Sequence, residues 1–454
     1  MQPTHPSGVE GQGSAGTARS QPVPRGAWIA ICLLLLINLF NYIDRWVLAA
    51  TVPDIRKILV LDAESSGAAD EPKMRLVMSK MGLLASAFMV FYMVTAPVFG
   101  FLAERMSRWL LIGIGVTLWS LASGASGLAT TFTMLLVTRC FVGIGEGAYG
   151  PIAPTVISDL YPAAKRGRVL SWFYVAMPVG SALGYALGGQ LAAIDPTGES
   201  WRWAFYVVVI PGLLLGAWSF LMRDPQRGAA DRLAAPPRRA RAKDYLVLLR
   251  TPSYVLNTLG MTAMTFAMGA LAFWMPGYLK DNQVERLLGI EPITIFGAIT
   301  ALAGLLATPA GGIVGDALRK PFPGSYFLVS GAALCLCVPC ALAFLVVPFP
   351  TAWVFVFLAE FFLFFGLGPS NTIVANVTHP SMRATGFAMY IFVIHALGDA
   401  ISPFLVGWIA DGFDGRLEPG FLFVAGFMLL GGVFWLCGAR YLERDTAAAP
   451  HRMD

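Results

Sequence analysis

Long apolar segments separated by short polar connections run along almost the whole chain. Twelve of these segments are long enough to cross a hydrocarbon core of about 30 Å as helices that rise about 1.5 Å per residue. We number them spans 1 to 12; they cover about residues 27–53, 76–103, 107–129, 131–157, 167–193, 201–222, 251–280, 291–317, 323–347, 350–378, 381–411 and 417–441. A membrane β-barrel would instead show short segments of alternating polarity. The pattern therefore predicts an all-α membrane protein, because a helix satisfies its own backbone hydrogen bonds in lipid.

Composition agrees with this prediction. Hydrophobic residues make up 56% of the chain and charged residues 13%, and the mean hydropathy is +0.65. Soluble domains contain about 25% charged residues. The net charge of +5 fits an ordinary surplus of Lys and Arg on cytoplasmic loops and does not indicate nucleic-acid binding. The six cysteines lie inside apolar runs, where they are interpreted as small hydrophobic side chains; we expect no metal and no cofactor.

A polar connection at residues 223–250 divides the spans six and six. We predict an N-terminal six-helix bundle at 26–222, a cytoplasmic linker at 223–250 and a C-terminal six-helix bundle at 251–441. Residues 1–25, rich in Gly, Ser, Pro and Gln, are predicted to be a disordered tail, and residues 442–454 a second tail. Loops after even-numbered spans hold about twice as many Lys and Arg as loops after odd-numbered spans. Both termini are therefore expected in the cytoplasm, with the spans in the cell (inner) membrane.

The two halves repeat a loop motif. Residues 100–108 (Gly-Phe-Leu-Ala-Glu-Arg-Met-Ser-Arg) follow span 2, and residues 312–320 (Gly-Ile-Val-Gly-Asp-Ala-Leu-Arg-Lys) follow span 8. Each has a glycine, an acid four residues later and a base eight residues later. The paired loops resemble the signature of the major facilitator superfamily, although Glu104 stands where Asp is usual. The resemblance implies two pseudo-symmetric six-helix bundles with a substrate site between them near the midplane.

A more specific resemblance covers roughly residues 38–190. Residues 41–45 on span 1 (Asn-Tyr-Ile-Asp-Arg), 143–155 on span 4 and 176–185 on span 5 resemble the Spinster family. The resemblance implies an amphiphilic substrate, such as a lysophospholipid or a sphingosine-type lipid. On span 5, the glycines spaced around Tyr185 also resemble the motif of facilitator antiporters, with Tyr185 where Pro is usual. This second motif favours export; the alternative is a plain packing face of small residues.

Four charged residues lie within spans 1 and 4: Asp44, Arg45, Arg139 and Glu146. A charge deep in a membrane costs at least about 2.5–3.5 kcal/mol and usually faces a bundle interior or a water-filled cavity. Arg139 and Glu146 are seven residues apart and therefore share one helix face. We predict a single network in which Arg139 keeps a carboxylate ionised, and protonation of that carboxylate lets the halves rock. The alternative is a static buried ion pair, whereas the resemblance implies proton-coupling or substrate-gating positions.

Other residues are candidates for the wall of a substrate cavity. His395 and Asp399 are i and i+4 on span 11, and a structural histidine with a capped aspartate is the simpler interpretation. A methionine and aromatic stripe on span 7 suits varied apolar ligands, although such stripes usually face lipid or core. The complete candidate set is Asn41, Tyr42, Tyr149, Glu360, His395, Asp399, Met264, Met268 and Phe273.

The repeated loops predict a latch at the cytoplasmic helix ends. Acids and bases there are expected to join the halves in the outward-facing state through salt bridges and helix-end dipoles. The candidate latch residues are Glu104, Arg108, Asp316, Arg319, Arg166 and Arg383.

The sequence thus predicts a proton-coupled secondary transporter that works by alternating access on an amphiphilic, lipid-like substrate. The alternative is a facilitator-type transporter or exporter of small organic anions or drugs. Expected partners are the substrate, protons and membrane lipid, and the chain is expected to be a monomer. A membrane-embedded enzyme is disfavoured, because a catalytic site needs a cluster such as His with Asp or Ser with His near the midplane, and His395 alone does not form one. A third possible function is that of a channel. Saturable counterflow driven by a pH gradient in proteoliposomes would exclude it.

Overall fold

The computed structural model describes residues 26–61, 76–161, 163–195, 199–226, 245–379 and 383–451, and these residues are almost entirely helical. In the first half, the spans are the helices Ala27–Arg56, Val77–Ala103, Arg108–Gly127, Phe132–Tyr149 with Ala153–Leu160, Ala163–Ala192, and Trp201–Phe220. In the second half they are Pro252–Asp281, Pro292–Ala317, Ser325–Val346, Ala352–Phe365 with Leu367–Val377, Arg383–Ile394 with Ser402–Asp411, and Glu418–Gly438. Ten of the described helices are long and apolar enough to cross a membrane. The predicted all-α membrane class is confirmed.

Three spans that were predicted as continuous helices are interrupted. Span 4 breaks at Gly150 and Pro151, and span 10 breaks at Gly366. Span 11 contains a π-helical turn at His395–Asp399, in which Gly398 has non-helical angles of φ −100 and ψ −106. Proline lacks a backbone N–H and glycine adds conformational freedom, so these residues weaken the helical hydrogen-bond ladder. Both the span 4 break and the π-helical turn lie beside the cavity described below.

The helices of the two halves pack in the same order. In the first half, span 1 packs on span 5, span 3 on span 6, and span 4 on spans 2 and 3. The equivalent pairs in the second half are span 7 with span 11, span 9 with span 12, and span 10 with spans 8 and 9. The repeated loop motif therefore belongs to a repeated packing scheme, and the fold is a pair of related helical bundles.

The halves meet most closely at one face of the molecule. We call the face that carries the ends of spans 1 and 7 the closed face, and the face where span 1 begins and span 12 ends the termini face. Arg56 pairs with Asp281 at 2.5 Å, and Lys280 pairs with Asp54 at 2.5 Å. Both ion pairs join span 1 to span 7 and therefore hold the two halves together at the closed face.

Spans 2 and 11 complete the contact at the closed face. A Cβ at Gly82 would lie 2.2 Å from the carbonyl oxygen of Pro403, so only glycine permits this approach. The carboxylate of Asp411, at the end of span 11, accepts hydrogen bonds from the backbone N–H groups of Met78 and Ser79, both at 2.8 Å. A side chain of one half thus caps the first turn of a helix in the other half.

The chain after span 12 differs from the predicted tail. Residues Leu442–Ala448 form a helix, and the side chain of Leu442 is buried. Asp445 accepts a hydrogen bond from the backbone N–H of Ser253 at 2.9 Å. This contact holds the short helix against the first turn of span 7, which explains why the segment is ordered. Residues 1–25, and residues 227–244 of the predicted linker, lie outside the described residues.

Candidate functional site

A cavity of about 520 Å³ lies between the halves on the side of the termini face. Spans 1, 2, 4 and 5 form one wall and span 11 forms the opposite wall. The lining residues are Asn38, Asn41, Tyr42, Arg45, Tyr92, Met93, Ala96, Pro97, Gly100, Glu146, Tyr149, Gly150, Pro151, Pro154, Phe173, Tyr174, Ala388, Ile391, Phe392 and His395. Since the contacts between the halves lie toward the closed face, the cavity occupies the part of the molecule where the halves separate.

Arg45 is the central cation of this cavity. Its Nε donates to Oε2 of Glu146 at 2.6 Å, and its side chain is 20% exposed whereas that of Glu146 is fully buried. Three aromatic rings surround the guanidinium, with centroids at 5.2 Å for Tyr42, 5.0 Å for Phe88 and 5.2 Å for Tyr92. Cation–π contacts stabilise a guanidinium whose hydration is incomplete. The arrangement presents a bonded ion pair at the cavity wall.

Asp44 and Arg139 lie behind this pair, and each is hydrogen-bonded to a different serine of span 3. Ser123 donates to Oδ1 of Asp44, and Nη2 of Arg139 donates to Ser126 Oγ at 2.7 Å. Asp44 and Arg139 interact electrostatically, but no atoms of the two form an ion pair within 4.0 Å. Both side chains are 2% exposed. The four predicted charges therefore cluster together, but with Arg45, not Arg139, as the direct partner of Glu146.

Sequence reasoning missed both the serines and two of the three aromatic rings. Ser120, Ser123 and Ser126 recur every three residues along span 3, which is a helical polar stripe in an otherwise apolar segment. That stripe was the available signal for the serines. Phe88 and Tyr92 have no comparable signal, because aromatic residues at helical spacing are common on any buried face.

Several buried polar atoms of the cluster have unused hydrogen-bonding capacity. Within the described residues, Asp44 Oδ2 and Arg139 Nε form no hydrogen bond, and the neighbouring side chains of Asn41 and Glu146 meet without a hydrogen bond of good geometry at Nδ2 and Oε1. Most buried polar groups in folded proteins are paired, so unpaired groups that gather at one place indicate a site that takes water, a proton or a ligand.

The opposite wall carries a second ionisable pair. Nδ1 of His395 lies 2.9 Å from Oδ2 of Asp399, and these side chains are 34% and 21% exposed. Both residues belong to the π-helical turn of span 11, and such turns frequently occur at functional sites. A smaller cavity of about 120 Å³ contacts Arg45, Arg139, Phe273 and Asp399. Tyr42 and Arg45 line both cavities, so the polar groups of the two halves lie around two adjoining cavities.

Some predicted cavity residues lie elsewhere. Met264 is fully buried, Glu360 is 6% exposed, and neither lines one of these two cavities. Met268 is partly buried against the core of the second half. Span 7 is enclosed by neighbouring helices, so its methionines fill the core, and the simpler of the two interpretations applies to them. Tyr149 lines the cavity, but its hydroxyl donates to the carbonyl of Leu34 at 2.6 Å.

Glycines allow the helices that carry the charges to approach one another. A Cβ at Gly143 of span 4 would lie 2.3 Å from the carbonyl oxygen of Phe88, and one at Gly147 would lie 2.4 Å from Thr95 Oγ1. This glycine face of span 4 therefore admits span 2 at close range. On span 5, a Cβ at Gly184 would lie 2.7 Å from the carbonyl oxygen of Ile43. The antiporter-like glycines therefore pack span 5 against span 1.

Three of the six candidate latch residues have described contacts, and these lie within their own halves. Arg108 pairs with Asp159 at 2.5 Å and with Asp224 at 2.8 Å. Asp316 accepts a hydrogen bond from the hydroxyl of Tyr326 at 2.5 Å, and Arg319 lies over the same ring. Glu104 is exposed at the termini face, and the side chains of Arg166 and Arg383 lie outside the described set. Among the described residues, the contacts of Arg108, Asp316 and Arg319 thus stay within their own halves in this conformation, in which the opposite face is closed.

Residues 34–403 match the family model of the Major Facilitator Superfamily. The chain is similar to protein spinster homolog 3 of Danio rerio, with 35% identity over 94% of this chain and 87% of the relative. Similarity to protein spinster homolog 1 of Homo sapiens is 35% identity over 94% of this chain and 83% of the relative.

Solved structures show the same fold. A bacterial homologue of the human lysosomal transporter Spinster, in an inward-facing and unoccupied conformation, has a TM-score of 0.79 at 21% identity and covers 94% of this chain and 99% of its own. A D-xylose–proton symporter has a TM-score of 0.69 at 16% identity, over 90% and 96% of the two chains. Within the described residues, no cluster of three or more His, Cys, Asp or Glu has the arrangement of a metal site.

Proposed function

Because the chain belongs to the major facilitator superfamily and, within it, to the Spinster family, we propose that it is a proton-coupled transporter of an amphiphilic, lipid-like solute. Family membership makes it a membrane-embedded transporter that works by alternating access, not an enzyme. The proposal adds the substrate class, the coupling ion and the residues that link the two. A lysophospholipid or a sphingosine-type lipid fits this class.

The observation that carries the proposal is the Arg45–Glu146 pair at the wall of a cavity between the two halves. The pair is bonded at 2.6 Å, and Glu146 has no exposed surface. A carboxylate in this setting remains charged while Arg45 is its partner, because a nearby cation offsets the cost of desolvation. A solute that draws Arg45 away leaves a buried carboxylate that must take up a proton. Substrate binding and proton binding are thereby linked.

Asp44 has a matching arrangement one layer deeper. Its Oδ1 accepts from Ser123, its Oδ2 is unpaired, and Arg139 lies nearby. Each carboxylate is stabilised by a cation on the other of these two spans, Glu146 by Arg45 and Asp44 by Arg139. A change in the distance between spans 1 and 4 would therefore alter the electrostatic stabilisation of both carboxylates. Rocking of the halves also opens and closes the cavity beside these carboxylates, and so changes their access to protons, as coupled transport requires.

The cavity wall suits a molecule with a polar head and one tail. Charged and polar groups occupy its inner part, where Arg45 and Glu146 of one half share the space with His395 of the other. Toward the termini face the lining becomes apolar, with Met93, Pro97, Ile391 and Phe392. Phe392 is 56% exposed and Ile391 47%. A head group at the charges and a tail along the apolar strip satisfy both regions.

The proposed location is the inner membrane, with both termini in the cytoplasm and the chain acting as a monomer. The support is the distribution of Lys and Arg among the loops. In that orientation the termini face is cytoplasmic, and the conformation described above is open toward the cytoplasm.

The test is transport by purified protein in proteoliposomes with an imposed pH gradient. Uptake of a radiolabelled lysophospholipid is compared with uptake of a small organic carboxylate. We expect saturable, pH-driven transport of the lysophospholipid that Glu146→Gln and Asp44→Asn abolish. Glu199→Gln is the matched control, because Glu199 is an exposed carboxylate paired with Arg202 outside the cavity. Full pH-dependent transport by both cavity variants in folded form overturns the coupling proposal, and transport of the carboxylate alone overturns the substrate class.

A further inference from the structure

A second cavity of about 520 Å³ opens on the outer surface of the second half, at the termini face. It lies between the beginning of span 7 and the end of span 12, away from the cavity between the halves. Its floor is formed by one face of each helix, with the apolar residues Pro252, Val255, Leu256, Val433, Phe434 and Cys437. The two sets have helical spacings of three and four residues, so each forms a continuous strip along its helix.

The mouth of this groove is basic. Arg250 precedes span 7 and Arg440 follows span 12, and both line the groove and are exposed. Neither forms an ion pair with a carboxylate of the described residues, and none of the lining residues is acidic. The neighbouring Arg444 differs, because it pairs with Asp445 at 3.0 Å. The guanidinium groups of Arg250 and Arg440 therefore lie at the mouth of an apolar groove without a carboxylate partner among the described residues.

The surroundings place the groove mouth at the level of lipid head groups. Tyr441 lines the groove, and Arg440 and Arg444 lie 4.7 Å and 5.2 Å from its ring centroid. Tyrosine is enriched at the boundary between the hydrocarbon core and water. In the short helix Tyr245–Leu249, Leu246 is 54% exposed and Leu249 58%. Exposed apolar side chains beside the groove are suited to contact with acyl chains at this level of a membrane protein.

We infer that this groove binds an anionic phospholipid, with the phosphate at Arg250 and Arg440 and an acyl chain along the strips of spans 7 and 12. Guanidinium groups pair with phosphate through two parallel hydrogen bonds. Basic pockets between membrane helices on the cytoplasmic side are known to select anionic head groups. The lipid joins the two ends of the second half, since span 7 begins and span 12 ends at its head group. The inference rests on the proposed orientation, in which the termini face is cytoplasmic, and does not depend on the transported substrate.

The experiment measures lipid binding by the full-length protein in detergent. Dioleoyl phosphatidylglycerol is titrated and bound lipid is counted by native mass spectrometry, with dioleoyl phosphatidylcholine as the lipid of equal chain length and no net charge. We expect the wild type to retain phosphatidylglycerol selectively. Arg250→Gln with Arg440→Gln should weaken binding about 25-fold, since each basic side chain near an anionic lipid contributes roughly a factor of five.

The matched control is Arg105→Gln with Arg223→Gln, which removes two exposed arginines from the same face of the first half. We expect this control to bind like the wild type. Equal retention of the two lipids, or unchanged binding by the groove variant, overturns the inference. Soluble glycerol 3-phosphate is added as a competitor at the concentration at which phosphatidylglycerol binds. If it displaces the lipid, the site binds a free anion, and the inference is overturned. Circular dichroism checks that each variant is folded.

Discussion

Single residues decide which cation meets which carboxylate in the transport cavity. Asp44 and Arg45 are neighbours in sequence, but successive side chains on a helix point about 100° apart. Asp44 therefore reaches Ser123 on span 3, whereas Arg45 reaches Glu146 on span 4. The two neighbouring residues therefore form separate polar contacts. The Arg45–Glu146 contact lies at the cavity wall, and the Ser123–Asp44 contact is buried behind it.

The Arg45–Glu146 pair predicts a specific pattern of stability. Arg45→Gln leaves Glu146 buried without its cation, and we expect a loss of about 2–3 kcal/mol, somewhat below the 3–5 kcal/mol typical of breaking a fully buried pair. Adding Glu146→Gln should recover most of the stability but not pH-driven transport. Thermal unfolding and proteoliposome uptake of both single variants and the double variant measure this cycle. Equal loss of stability in the double variant would show that the pair itself is not the cause.

The hydrogen bond from Ser123 to Asp44 gives a second prediction at this scale. Ser123→Ala removes the donor and leaves a buried carboxylate oxygen unpaired, which should cost about 1–3 kcal/mol and reduce transport. Ser120→Ala is the control, because the Ser120 hydroxyl donates to Val116 of its own helix at 2.7 Å. Thermal unfolding of the two variants compares the effects. Equal and small shifts would mean that Ser123 only fills space.

At the scale of the helices, close approach between spans places these side chains. Span 4 lies against span 2 through glycines, and this contact brings Phe88 and Tyr92 up to Arg45. The π-helical turn of span 11 has a similar role, because it turns His395 and Asp399 toward one another beside the cavity. Small residues and helix irregularities therefore determine the shape of the site as much as its charges do.

Gly143 offers a direct test of this helix contact. Alanine at this position would put its Cβ 2.3 Å from the carbonyl oxygen of Phe88 and push spans 2 and 4 apart. Overpacking of this kind should cost about 1–3 kcal/mol and should lower transport by opening the aromatic ring set around Arg45. Gly426→Ala on span 12 is the control, because nothing lies within 4 Å of its added Cβ. Thermal unfolding and uptake are the measurements, and equal behaviour of the two variants would contradict the prediction.

On the scale of the whole molecule, the closed face determines the conformation. Two ion pairs join the ends of spans 1 and 7, which are equivalent helices of the two halves. Asp54 is buried, but Arg56, Lys280 and Asp281 are partly exposed to solvent, and a pair in this setting contributes about 0.2–1 kcal/mol. Pairs of this strength can break in every transport cycle, and they still favour the conformation that is closed at this face.

Removing both pairs should shift the molecule toward the state that is open at this face. Lys280→Gln with Asp281→Asn keeps the net charge and removes both pairs, so it should change the population ratio by up to about 30-fold, which corresponds to about 2 kcal/mol for the two pairs together. Distances between spin labels at the ends of spans 1 and 7 measure the shift. Arg286→Gln with Glu291→Gln is the control, because it removes a pair on the same face within one half. An equal shift in the control would show that the effect is not specific to contacts between the halves.

The termini face gives the opposite prediction. Asp316→Asn should weaken the latch that is expected when this face closes, and should therefore favour the conformation that is open at the termini face. Spin-label distances across that face measure the population, and unchanged distances would count against the latch. Tyr326→Phe is a useful companion, because it removes the hydroxyl that Asp316 binds here without changing charge.

The sequence predicted the span boundaries closely, since the bilayer imposes one length and one polarity on every helix. It also predicted the charged cluster, because a charge within a membrane span must find a partner or water. It did not predict that Arg45 pairs with Glu146, since this depends on the rotation of span 1 against its neighbours. Helix breaks at Gly366 and Gly398 were missed for a similar reason, because glycine in a span equally allows close packing. The enclosure of Met264 followed from tertiary packing that an apolar pattern does not reveal.

The carboxylate of Asp411 has a consequence for the energetics of the cycle. It supplies the first turn of span 2 with hydrogen-bond acceptors from the other half. When the halves part at this face, those N–H groups and the carboxylate must each recruit solvent, so the opened state holds more bound water. Conformational exchange is then coupled to water activity: osmolytes that withdraw water should lengthen the lifetime of the sealed form, even if they never contact the transport pathway.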